Sequence, residues 1–231
     1  MTHASREDLR AELLAKIARW YSPVGHLAFP TVVGLAIAAF ALSRIDDLRL
    51  WQLALVPAFL VLGNAFEWHA HRGLLHRRTR LLHVLYLRHV PEHHAVFVAE
   101  DMAIRSLREL RFVLLPGYGL LAVLAASIPL VVVFSWIGEP NLAALWVAAA
   151  AVYFLAYEWL HLACHLPESS PIARLPLLQR LRRHHQIHHA PHLMQRWNFN
   201  VTVPLWDVLR GTSLSPAQPR AETPAPARRA P

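Results

Sequence analysis

The sequence predicts an all-α integral membrane protein with four transmembrane helices in two hairpins and a helical cap. Three observations carry this. Of 231 residues, 55% are hydrophobic and only 16% charged, where a soluble domain carries about 25% charge. Four long stretches contain no Asp, Glu, Lys or Arg: residues 20–43, 50–66, 112–138 and 140–157. The polar groups, including 16 histidines against 15 acids, collect between and after these stretches. Such segregation argues against a soluble enzyme and against a disordered chain. A single cysteine, Cys164, excludes a disulfide framework and a Cys-ligated cluster.

The elements follow in order. Residues 1–21 carry Leu9, Leu13, Ile17 and Tyr21 at four-residue intervals, the stripe of an amphipathic helix lying on the membrane face. The first charge-free stretch has the ~20 residues that a span requires. The second and fourth are shorter, but each runs on past a glutamate, Glu67 and Glu158, into further apolar residues. The third is long and holds Pro116 and Pro129, so it is expected to kink or tilt. Beyond residue 212 the chain is rich in Pro, Ala and Arg and is expected to be a disordered tail over 213–231.

Basic residues set the topology. Residues 1–19 hold four, 70–111 hold eight and 174–231 hold nine, whereas the connection 138–141 holds none. With four spans the three rich regions share one side, and the positive-inside rule makes it cytoplasmic, with both termini there. The formal charge of +8 therefore marks loops at a bilayer, with no nucleic-acid partner implied. Arginine outnumbers lysine 22 to 1, which points to a GC-rich bacterial source and an inner membrane.

Ten histidines then fall into four clusters, all on that side: His71 and His76; His89, His93 and His94; His161 and His165; His185, His188 and His189. His161 and His165 share one helix face, as do His185, His188 and His189. Pro91 suits the first turn of a helix, with His93 and His94 just inside it. His71 and His76 are five apart, about 140° around an α-helix, and are expected to straddle a helix end. Ten imidazoles exceed the four ligands of one tetrahedral zinc and suit two metal ions with open positions in the cytoplasmic cap. Imidazole serves zinc, copper, iron or nickel. A ferritin-like carboxylate site needs two Glu-x-x-His motifs, and this chain offers one, Glu158 to His161. His69 and His184 adjoin the clusters as possible extra ligands.

These four boxes, with Glu67-Trp68 before the first, Tyr157-Glu158 before the third, and the stretch from Arg196 to Asp207 followed by Gly211-Thr212, resemble the fatty acid hydroxylase/sterol desaturase superfamily. The resemblance covers roughly residues 55–212 and makes residues 22–212 the catalytic domain. It implies two iron ions held by the ten histidines, with O2 as co-substrate, and zinc able to replace iron on overexpression. Glu67, Glu158, Asn198 and Asn200 would stand behind the ligands and orient their rings. Oxidation of an unactivated C–H bond needs a metal-based oxidant that no side chain supplies. The expected activity is hydroxylation of a membrane lipid: a fatty acyl, sterol or isoprenoid chain.

Desaturation or carotenoid hydroxylation is the nearest alternative. A metal transporter or buffer is the alternative of another class, but transporters place ligands near the bilayer midplane, and residues 28–42 and 112–134 contain no histidine. The chain shows no dinucleotide-binding glycine motif and no CxxC, so a separate electron-donor protein is expected. Arg174, Arg180, Arg182 and Arg183 are candidates for docking it, or for touching lipid headgroups.

Overall fold

The computed structural model describes residues 3–80 and 82–215; most of the tail expected over 213–231 lies outside the described residues. Helix α1 (His3–Lys16) is followed by α2 (Pro23–Ser43), α3 (Leu55–Ala70), the short helices α4 (His83–Leu87), α5 (His94–Val96) and α6 (Leu110–Val113), then α7 (Gly119–Trp136), α8 (Pro140–Cys164), α9 (Pro176–His188) and α10 (Leu205–Leu209). Four segments are long and apolar enough to cross a membrane: Pro23–Ser43, Leu50–Leu75, Gly119–Trp136 and Pro140–Cys164. Both spans that looked short do continue past their glutamates. Trp20, Trp51 and Trp136, near span ends, are exposed, as in an interfacial aromatic belt.

The spans gather around α8. Its most apolar stretch is 61% buried, against 11–28% for the other three. Three consecutive residues explain this. At 3.6 residues per turn, Tyr153, Phe154 and Leu155 point in three directions. Each meets a glycine of a different neighbour: Gly63 of α3, Gly119 of α7 and Gly34 of α2. A methyl group on Gly34 would lie 3.1 Å from the Leu155 side chain, a tight contact that the leucine would have to yield to, so glycine lets these helices approach closely. Ala148 and Ala151 extend the small-residue surface toward Ala38 and Ala41 of α2. α7 and α8 follow one another through a turn at Gly138 (φ +77°) and pack together. The first two spans do not pair in that way: α2 and α3 both pack on α8 and make no extensive mutual contact among the described residues.

Two expectations change at the histidine-bearing end. The third apolar stretch is not one kinked helix: it divides into α6 and α7, with Pro116 in the break. Proline lacks the N–H a continuous helix needs and disfavours the α conformation at Leu115. The stripe of α1 packs in part on protein. Leu13, Leu14 and Ile17 pack on the cluster of Val96, Phe97, Phe112 and Leu162. Arg10 is buried over the Phe97 ring, 3.9 Å from Glu109. The cap has an apolar core of its own, and α1 covers it.

Candidate metal centre

Two π-helical turns and two α-helical faces bring the histidines together. Residues His71–Leu75 close a π turn, with the His76 N–H donating to the His71 carbonyl at 3.1 Å. Residues Arg88–His93 form a second, with the His94 N–H donating to the His89 carbonyl. The extra residue per turn brings positions five apart onto one face. The His71 and His76 rings are 5.1 Å apart and those of His89 and His94 4.6 Å. Pro91 sits inside the second turn, not at a helix start, because without an N–H it makes no α-type bond. The pairs His161/His165 and His185/His189 keep four-residue spacing at the end of α8 and along α9.

The result is two adjoining groups. Ligand atoms of His71, His76, His89, His94 and His188 lie within 4.8 Å of one another, as do those of His93, His165, His185 and His189. The two groups touch through the His94 and His189 rings, 4.3 Å apart. The second and fourth boxes are thus divided: His93 leaves its neighbours for the second group, and His188 joins the first. His161 lies 4.9 Å, centroid to centroid, from both His93 and His185. The Val113 carbonyl faces it, but neither of its buried ring nitrogens makes an aligned hydrogen bond.

The ring protons can be located. Nδ1 meets a main-chain carbonyl in His71 (Phe199, 2.5 Å), His93 (Phe112, 3.0 Å), His165 (Met102, 2.7 Å), His188 (Trp197, 2.9 Å) and His189 (Phe97, 2.6 Å). A carbonyl only accepts, so Nδ1 carries the proton and Nε2 a bare lone pair. Yet Nε2 of His93 and Nε2 of His189 are 3.1 Å apart. Both protons are held elsewhere, so no hydrogen bond joins these atoms. Their lone pairs repel unless a cation sits beside them.

A proton is a poor candidate for that cation. Burial pushes the imidazoles of His76, His89, His93, His94, His165, His185, His188 and His189 down, the last to about 3, with neighbouring imidazoles lowering most of them further. A metal ion fits. Across the cluster Nε2 atoms approach to 2.9–3.2 Å, close to the ~3.0–3.4 Å between adjacent nitrogens each about 2.1 Å from one ion.

The same shifts fix a pH response of metal-free protein. Each folded-state value lies below the ordinary ~6.5, so the unfolded chain binds more protons. Stability is complete above about pH 6.5 and is lost as pH falls toward the folded values. The melting temperature of metal-free protein in detergent should hold steady near pH 7–8 and fall progressively toward pH 5. A flat profile would contradict the buried neutral cluster.

The four residues expected behind the ligands serve otherwise. Glu67 accepts hydrogen bonds from the Val201 and Thr202 N–H groups, the Thr202 hydroxyl (2.5 Å) and the Tyr153 hydroxyl (2.6 Å). Glu158 accepts from the Leu115 N–H at 3.2 Å. Asn198, in the left-handed region (φ +58°), donates to the His184 and Leu214 carbonyls. Asn200 bridges the Asn64 carbonyl and the Asp207 N–H. None of these contacts reaches a clustered imidazole; Glu67, Asn198 and Asn200 hold the segment whose Trp197 and Phe199 carbonyls do, and Glu158 holds the break before α7. His69 is exposed, and His184 Nε2 lies 3.1 Å from Asp207 Oδ2, so neither joins a group.

Asp207 is the residue that sequence reasoning overlooked. It is fully buried and accepts from Trp68 Nε1 (3.1 Å), Thr212 Oγ1 (2.7 Å), the Phe199 N–H (3.0 Å) and the Asn200 N–H (2.7 Å), besides facing His184. The only sequence signal was its place in the stretch after the last box.

A family model described as fatty acid hydroxylase matches residues 56–212, more than half of the chain and nearly the range that the sequence motifs suggested. No curated protein and no solved structure matches.

Proposed function

We propose that this chain, which belongs to the fatty acid hydroxylase family, within the fatty acid hydroxylase/sterol desaturase superfamily, is a membrane-bound non-haem di-iron monooxygenase that hydroxylates an unactivated C–H bond of a membrane lipid. The observation that carries this reading is the meeting of unprotonated Nε2 atoms in two adjoining buried groups, with His93 and His189 as the clearest pair. His71, His76, His89, His94 and His188 would hold one ion. His93, His165, His185 and His189, with His161 beside them, would hold the other. A bound pair of iron ions supplies the activation of dioxygen that C–H oxidation requires.

The chain's own part is to position and to exclude water. Main-chain carbonyls keep protons on Nδ1, so every Nε2 they govern faces inward ready to bind. Phe97 and Phe199, both fully buried, seal opposite sides. A small cavity of about 20 Å³, lined by Leu75, Leu85, Phe112, Val113 and Tyr157, touches both His89 and His161. It holds about one water molecule, so an acyl or isoprenoid chain reaches the histidines from the bilayer by displacing these apolar side chains. Histidines gathered at one end of the bundle, away from the span centres, favour this reading over a metal transporter. The basic loops support a cytoplasmic position for that end, and the excess of arginine over lysine supports a bacterial inner membrane.

Two measurements test this. Purified protein should contain two metal ions per chain by elemental analysis, iron or substituted zinc. Lipids of expressing cells should gain a species 16 mass units heavier. A loss of 2 units would reassign the chain as a desaturase, and a metal content near zero would overturn the reading.

A further inference from the structure

The reaction proposed above consumes two electrons. One oxygen atom enters the C–H bond; the other leaves as water, with two electrons and two protons from outside. The arginines first considered for docking a donor are partly engaged. Arg182 donates to the Leu166 carbonyl at 2.7 Å and lies 3.8 Å from Glu168, and Arg174 donates to the Glu168 carbonyl.

A different surface has what donor docking requires. Trp68 is almost wholly buried, and two guanidiniums cover its indole, Arg72 at 4.9 Å and Arg210 at 5.5 Å. Neither arginine is within ion-pair distance of a carboxylate among the described residues. Arg210 is exposed, beside exposed Val208 and Leu209, so a charged and an apolar contact lie together, as at protein interfaces. Inward from Trp68 the aromatic rings are continuous. Trp68 meets Phe199 at 5.6 Å. Phe199 meets His188 at 5.5 Å and His71 and His76 at 5.9 Å each. Three histidines of the first group are therefore two ring contacts from a surface marked by unneutralised positive charge.

We propose that Arg72 and Arg210, over Trp68, are the docking surface for an acidic one-electron carrier protein, and that Trp68 and Phe199 lie on the route from it to the first histidine group. This rests on the oxygenase reading, but docking can be measured apart from turnover. Charge complementarity governs the association rate and its salt dependence, and both require only folded, metal-loaded protein.

The probe is a reduced plant-type [2Fe–2S] ferredoxin with an acidic surface, added to metal-loaded protein in nanodiscs of neutral lipid. Wild-type protein should bind it with an association rate that falls steeply with salt. Arg210→Glu, and separately Arg72→Glu, should slow association by roughly tenfold at low salt and flatten the salt dependence. Arg180→Glu should change neither. Arg210→Glu should leave product formation by dithionite-reduced protein intact, since a small reductant needs no docking. Absence of salt-sensitive binding by wild-type protein, or equal binding by the reversed variants, would overturn the proposal. So would an effect of Arg210→Glu confined to nanodiscs of anionic lipid, which would assign the patch to headgroups. Wild-type protein that forms no product after chemical reduction in O2 would instead break the oxygenase reading, and the binding result would stand separately.

Discussion

Replacing His93 or His189 with alanine is expected to lower the metal content from two ions per chain to about one and to reduce hydroxylation at least about a hundredfold. Loss of a residue that merely supports a ligand costs 10–100-fold, and these two imidazoles face each other directly through Nε2 at 3.1 Å. Elemental analysis of purified variants and lipid mass spectrometry read the two effects. His69→Ala is the control, because that ring is exposed and belongs to neither group. Its metal content and product yield should match the parent. Full metal retention in both His93→Ala and His189→Ala would show that the facing nitrogens are not ligands.

Asp207→Ala is expected to destabilise the protein by at least about 3 kcal/mol, because each buried donor left without its acceptor costs about 1–3 kcal/mol. Four donors besides His184 lose their acceptor, and each buried N–H or O–H left unmade is itself costly. The consequence is directional. Asp207 holds the Phe199 N–H, and the Phe199 carbonyl holds Nδ1 of His71. Metal should therefore be lost first from the group containing His71 and His188, while the group around His165 and His185 keeps its ion. Thermal unfolding in detergent, with metal stoichiometry on the surviving folded fraction, checks both parts. Asp207→Asn should be intermediate, because its oxygen can keep the three donors at Oδ1 while its amide turns N–H groups toward the Asn200 N–H. Unchanged unfolding would remove Asp207 from its place as the hub.

Much of this was legible in the sequence because the signals are local. Charge-free length reports membrane-spanning helices, since a backbone in lipid must satisfy its own hydrogen bonds. Spacings of four and of three plus four report shared helix faces, and those expectations held for His161 with His165 and for His185 with His189. A five-residue spacing is ambiguous in the same terms, and both cases of it, His71 with His76 and His89 with His94, proved to be π turns. The glutamates were read as partners of the rings because carboxylates commonly orient ligating histidines. Here main-chain carbonyls have that role, and a carbonyl leaves no mark in a sequence.

The amino-acid sequence by itself determined the number of spans, the chemistry of the ten clustered imidazoles and their gathering at one end of the bundle. Each is a property of residue type and short-range spacing. Tertiary structure alone decided how those imidazoles divide, with His93 parting from His94 and His188 from His189. It also decided that α1 covers the cap, that Asp207 anchors the loop behind His71 and His188, and that Arg72 and Arg210 meet over Trp68. The physical reason is one of range. These outcomes depend on contacts between residues up to about 140 positions apart, as in Trp68 with Asp207. Such contacts come from packing around α8 and from backbone groups that every residue carries alike.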